Sequence, residues 1–217
     1  MNVLLFGATG MVGQGVLREC LRAEDVARVV TVGRTATSIR HPRLQEIQRS
    51  DLLDYRPLEA ELTGFDACFF CLGVSSVGMS EEDYKHITYD LTLNVAELLA
   101  KLNAQMTFCY VTGAGTDSSE QGRIAWARVK GATENSLMRL FKNSYMFRPA
   151  FMKATPGQKN VKGYYKFFTW LYPIGRAIYP AGFCTLQEVG RAMINAVRNG
   201  YPKRILEVKD IVELAKA

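Results

Sequence analysis

A chain of 217 residues with 48% hydrophobic and 22% charged side chains fits one globular domain with a sizeable core. It has no uncharged apolar run long enough to span a bilayer, and its two histidines belong to no ligand-spaced cluster, which argues against a transmembrane segment and a metal site. The net charge of +6 is regional: positions 135–187 hold eight bases and no acid, leaving 6 − 8 = −2 for the rest.

The apolar start MNVLLFGATG has no base ahead of it and no cleavage site, so it reads as a strand rather than a signal peptide. Five cysteines, an odd count without an export signal, suit reduced thiols and predict a cytoplasmic protein. After the first strand, NVLLF, comes GATGMVGQG and a helix carrying Val12, Val16, Leu17, Cys20 and Leu21. ARVVTVG is a second strand, LQEIQRS a third, more polar and nearer an edge, and DACFFCLG a fully apolar fourth. Cys68 and Cys71 stand three apart in that strand and so point to opposite faces, which suits core packing rather than a disulfide or chelate.

Tyr84, Ile87, Leu91, Val95, Leu98 and Leu102 repeat at helical spacing and predict a helix over 81–102, with SEED supplying a Ser cap and early acids. MTFCYVT is strand five, 123–141 a helix, and SYMFRP strand six. From about Phe151 the pattern loosens into aromatic-rich turns, then returns as a helix near 186–199 and a short strand, RILEV. The alternation predicts an α/β fold, a doubly wound parallel sheet of Rossmann type with a small C-terminal cap. Residues 1–217 form a single dinucleotide-binding domain in this reading, with 151–185 as a cap or substrate region inserted before the last helix and strand.

Gly7, Gly10 and Gly13 form G-x-x-G-x-x-G between strand one and helix one. A turn this tight needs residues without Cβ, and the helix start behind it offers N–H groups and a positive dipole end to a pyrophosphate. An NAD site usually carries an acid at the end of strand two, yet no acid follows here until Glu46. Arg34 stands there instead, with Thr35, Thr37 and Ser38 beside it, and an arginine fork matches a 2′-phosphate. NADP(H) over NAD(H) is therefore expected; the alternative for Arg34 is a solvated surface arginine.

GATGMVG, SDL after strand three, CLG after strand four, YVTGAG after strand five, the Lys130 helix and FRPAF after strand six together resemble extended and atypical short-chain dehydrogenase/reductases (SDRs). VKGATEN, FRPAFM and ILEVKDI are similar to the small NADPH-binding branch that includes the Tat-interacting tumour-suppressor oxidoreductase. The resemblance implies that Gly7, Thr9, Gly10, Met11, Val12 and Gly13 cradle the pyrophosphate and Arg34 holds the adenosine phosphate. It further implies that Asp51 and Leu52 flank the adenine, Leu72 and Gly73 line the ribose, Lys130 holds the nicotinamide ribose, and Pro149 and Phe151 lie beside the nicotinamide. For Asp51 a plain turn residue is the alternative.

Working members of that family place Ser or Thr after strand five and Tyr-x-x-x-Lys on the next helix, so that both side chains share one face. Here Thr112 matches the hydroxyl position, Lys130 is present, and Trp126 occupies the tyrosine slot. An indole N–H donates a hydrogen bond but does not ionise usefully, so the usual general acid is missing. Tyr84, Tyr89, His86 or a tyrosine of the cap are the candidate replacements. The first functional expectation is an atypical NADP(H)-dependent oxidoreductase or epimerase-like enzyme acting on a small carbonyl or hydroxyl substrate. The second is an NADP(H)-binding regulator or redox-sensing scaffold.

GYYKFFTWLYPIGRAIYPAGF, at 163–183, mixes aromatics with Lys166 and Arg176. It reads as a cap helix closing over substrate, as a protein-docking or anionic membrane-surface patch, or as an attractor for an anionic or acyl-bearing substrate. Nucleic acid is disfavoured, since no recognition motif accompanies the charge.

Overall fold

The computed structural model describes residues 1–154 and 172–217. In chain order the first half comprises β1 (Asn2–Phe6), α1 (Met11–Arg22), β2 (Arg28–Gly33), β3 (Leu44–Gln48), β4 (Ala67–Phe70), α2 (Glu81–Lys85), α3 (Leu91–Leu102) and β5 (Thr107–Val111). The second half comprises α4 (Ala125–Leu140), β6 (Ser144–Arg148), β7 (Phe151–Lys153), α5 (Tyr172–Ile178), β8 (Phe183–Thr185), α6 (Leu186–Asn199), β9 (Ile205–Glu207) and α7 (Val208–Leu214).

Seven strands form one sheet in the order β3-β2-β1-β4-β5-β6-β9, and every pairing is parallel. This is the expected doubly wound sheet, with its winding reversing between β1 and β4. In such sheets the crevice outside the carboxyl ends of the strands at that reversal receives ligands.

Strands buried on both faces must be apolar, as the buried residues VLLF of β1 and ACFF of β4 are. Alternate residues feed two cores. Val3, Leu5 and Phe69 pack with Val16, Leu17 and Cys20 of α1 and with apolar residues of α6 and α7. Leu4, Phe6, Phe70, Phe108 and Tyr110 pack with Leu91, Val95 and Leu99 of α3 and with Leu137. Rings Phe6, Phe70, Phe108 and Phe141 stack in series at centroid spacings of 5.3, 6.1 and 5.0 Å. Cys68 lies in the second core and Cys71 packs against the first, so the pair does straddle the sheet.

The helix expected over 81–102 forms with its Ser80 cap, the hydroxyl accepting from the Asp83 N–H at 3.0 Å. A π-helical stretch, His86–Asp90, joins α2 to α3 within it. Three elements went unforeseen. β7 and β8, each of three residues, pair in parallel as a second small sheet where only turns were expected. They are too short for periodicity to register. After β9 the chain enters α7, opened by a reciprocal cap between Glu207 and Asp210. Of the expected cap, residues 155–171 lie outside the described residues.

Candidate functional site

At the carboxyl end of β1 the chain turns at Gly7 with φ +79°, a conformation that disfavours side chains. A Cβ there would lie 2.6 Å from the Leu72 nitrogen, and one at Gly13 would lie 2.1 Å from the Gly7 oxygen. The loop is thus shaped by backbone packed on backbone. Gln14 Nε2 donates to the Thr9 oxygen at 2.9 Å and braces it. Helix α1 starts after Gly10 with no side-chain cap and no acid in its first turn, so its positive end faces the loop unopposed. Met11 and Val12, at its start, pack against the first core. An absent Cβ, an uncapped helix start and missing acids are the features that the diphosphate of a dinucleotide requires, and the residues fit it.

The loop opens onto a cleft of about 760 Å³ between the two halves of the sheet, lined by Gly7, Thr9, Gly10, Arg34, Leu52, Leu72 and Gly73 among the expected residues. Arg34 follows β2, is exposed, and forms no hydrogen bond or ion pair with a described residue. The first acid after β2 is closer than chain distance suggests. Strand pairing sets Glu46 opposite Thr31, and it lines the same cleft. Its carboxylate accepts from the Thr37 N–H at 3.0 Å and from the Thr37 hydroxyl, so it holds the loop after Arg34. Asp51 Oδ1 accepts from the Leu53 N–H at 2.7 Å, the geometry of a turn residue. Leu52, not Asp51, faces the cleft.

The other expected residues gather at the ends of β5 and β6. Lys130 Nζ donates to the Thr112 carbonyl at 3.0 Å, and burial lowers its ammonium from 10.5 to about 8, against the pull of Glu134. The Thr112 hydroxyl, expected to act on a substrate, is held internally by Glu134 and the Phe147 carbonyl. It donates to Glu134 Oε1 at 2.6 Å inside the protein. Glu134 is fully buried and also accepts from Arg148 Nε at 3.0 Å and from Arg148 Nη2. Trp126 lies partly buried two turns before Glu134, with its indole 3.6 Å from where a Cβ on Gly115 would sit. Pro149 is buried and its carbonyl accepts from the Ala114 N–H at 3.0 Å. The Phe151 ring lies 5.4 Å from that of Phe183 and 6.3 Å from that of Tyr172.

None of the described stand-in acids forms a hydrogen bond with Lys130. Tyr84 is buried in the core and desolvation raises its phenol. Tyr89 pairs its hydroxyl with Ser136 Oγ at 3.1 Å. His86 lines the cleft beside Leu52 and meets Asp90 at 3.1 Å. Tyr172 accepts from Arg176 Nη1 at 2.6 Å, while Tyr164 and Tyr165 fall outside the described residues.

Two acids bound the acid-free stretch, and both turn inward upon it. Glu134, just before it, neutralises Arg148, and Glu188, just after it, pairs with Arg176 at 2.5 Å. The effective charge there is lower than the count implied. Glu134 was missed although it stands four residues beyond Lys130 on one helix face, and that spacing was the available signal. Among the described residues no group of three or more His, Cys, Asp or Glu gathers in a metal-binding arrangement, and no helix is long and apolar enough to cross a membrane.

Protein FMP52-1, mitochondrial, of Scheffersomyces stipitis is 24% identical over 233 residues, covering 100% of this chain and 99% of that protein. Protein HTATIP2 of Rattus norvegicus is 26% identical over 226 residues, covering 99% and 89% respectively. The structure of Bordetella bronchiseptica WbmF in complex with NAD+ superposes with a TM-score of 0.66 at 17% identity, covering 99% of this chain and 76% of that one, a likeness of fold. The expectation of a cytoplasmic protein is corrected by the fungal relatives, which are named mitochondrial proteins; an odd cysteine count says nothing about organelle address. The model of the NAD dependent epimerase/dehydratase family matches residues 3–122, more than half of the sequence, and the chain belongs to that family, an atypical SDR with a nicotinamide-dinucleotide-binding fold.

Proposed function

We propose that this protein binds NADP(H) in preference to NAD(H) and acts as an oxidoreductase or epimerase-like enzyme on a small carbonyl or hydroxyl compound. One observation carries the reading: a glycine cradle at an uncapped helix start opens onto a cleft whose outer end presents Arg34 without a described partner. Gly7, Thr9, Gly10, Met11, Val12 and Gly13 would hold the diphosphate through backbone and dipole, and the Arg34 fork would meet a 2′-phosphate. Leu52 would border the adenine, Leu72 and Gly73 the ribose, Lys130 the nicotinamide ribose, and Pro149 and Phe151 the nicotinamide. When bound, the dinucleotide supplies or accepts a hydride. Burial lowers Lys130 Nζ to about 8, which brings its proton closer to transfer near neutrality. Trp126 offers an apolar wall and a hydrogen-bond donor there, without an ionisable proton.

Trp126 also favours a second reading, in which the protein holds NADP(H) and acts as a regulator through a partner or an anionic membrane surface. Fluorescence titration of the protein with NADPH and, in parallel, NADH tests the shared premise. Quenching by NADPH at much lower concentration than by NADH supports it; equal response, or none, refutes the preference. Trp126→Tyr then separates the two readings. In an enzyme that lacks only its acid, NADPH oxidation with a panel of carbonyl compounds should rise by up to about 10²–10⁴-fold. A regulator should turn over in neither form.

A further inference from the structure

We propose that Glu134, held by Arg148, is a positioning residue that fixes Lys130 for the nicotinamide-ribose end of the dinucleotide, by gripping the Thr112 hydroxyl and so aiming the Thr112 carbonyl at the lysine. This rests on the dinucleotide reading above.

Trp126, Lys130 and Glu134 follow one another at four-residue intervals along α4 and therefore share its face toward β5 and β6. Thr112, one residue past β5, is held from three sides. Its N–H donates to the Phe147 carbonyl at 2.8 Å, its hydroxyl to Glu134 at 2.6 Å with the Phe147 carbonyl a longer second acceptor at 3.1 Å, and its carbonyl accepts from Lys130 at 3.0 Å. Arg148 fixes the carboxylate in turn, donating to it through Nε and Nη2 while Nη2 also donates to Ser118 Oγ at 2.6 Å. Glu134 is 0% exposed, and desolvating a carboxylate so completely is costly. Apolar residues of equal volume often stabilise a fold as well as a buried ion pair does. They cannot, however, orient a threonine hydroxyl. The ion pair therefore makes sense as a geometric device, and what it orients is the carbonyl that anchors Lys130.

Calorimetric dissociation constants for NADPH and for adenosine 2′,5′-bisphosphate test this, because the second ligand carries the adenosine end and lacks the nicotinamide ribose. Glu134→Gln and Thr112→Val should each weaken NADPH by about tenfold and leave the bisphosphate unchanged. Thr112→Ser, which keeps the hydroxyl, should bind both ligands as the unaltered protein does. Lys130→Met should match Glu134→Gln, and the two together should lose little more than either alone. Should Glu134→Gln not fold, Thr112→Val carries the test. Variants that melt earlier yet keep the unaltered ratio of the two affinities would show Glu134 to be merely structural and overturn the inference. Failure of the unaltered protein to bind either ligand would instead overturn the dinucleotide reading, and this inference with it.

Discussion

At the β1–β4 end of the sheet the site is made of backbone; at the β5–β6 end it is made of side chains. Gly7 and Gly13 leave room by lacking a Cβ, and the start of α1 presents its peptide dipoles, with Arg34 and Glu46 as the charges lining the cleft. Around Thr112, by contrast, a lysine, a glutamate and an arginine interlock in the interior. A backbone site tolerates change in the side chains around it, whereas an interlocked one transmits any single loss to its neighbours. The unusual Trp126 stands at the interlocked end.

That contrast can be broken or sharpened. Glu134→Ala should have the largest effect on stability, about 3–5 kcal/mol in denaturant unfolding, because Arg148 is left buried with the neutral Ser118 hydroxyl and, as its remaining described counter-charge, the more distant Glu207 at 3.5 Å. A cost below about 1 kcal/mol would mean that the β5–β6 end is no more interlocked than an exposed surface. Gly13→Ala, by forcing a methyl into the Gly7 carbonyl, should cost about 1–3 kcal/mol in the same assay and abolish NADPH binding. Retained binding would remove the backbone account of the β1–β4 end. Arg34→Ala should leave melting and NADH affinity alone while weakening NADPH by about ten- to a hundredfold, read by titration.

The smallest effect is one of pH. Burial lowers Lys130 from 10.5 to about 8, so between those values the unfolded chain binds a proton that the folded chain has released. Stability contributed by this group therefore rises as pH climbs through that window, and the cost of burying the charge is fully present below it. Buried cysteines, raised by desolvation, pull the other way above their ordinary range. The difference between the unaltered protein and Lys130→Met isolates the lysine. If that difference is flat from pH 7 to 10, roughly the window expected, the ammonium is not desolvated.

Much of the fold could be read in advance because buried parallel strands are continuous apolar runs and the 81–102 helix carries an unbroken stripe. β7 and β8 escaped notice, since each is stabilised by its partner far along the chain and not by its own pattern. The same distinction runs through the site. Gly7, Gly10 and Gly13 are a local motif, legible from spacing alone, although the Leu72 backbone is part of what crowds Gly7. Thr112 was expected to face a substrate because its position after β5 is all that the sequence exposes; Glu134, twenty-two residues on, is what turns its hydroxyl inward. Glu46 shows the reverse, an acid that looks remote from β2 in the chain until strand pairing sets it opposite Thr31.

By itself, then, the sequence determined the parallel sheet, the tight glycine turn after β1 and the presence of tryptophan where a proton donor was expected. Those follow from residue type and short-range spacing, which act within a strand or a turn of helix. Only the tertiary structure decided that Glu134 and Glu188 neutralise bases of the acid-free stretch and that Thr112 serves Lys130 through its carbonyl. Direct hydrogen bonds and close ion pairs reach only a few ångströms, so which of these groups meet is settled by packing and not by order along the chain.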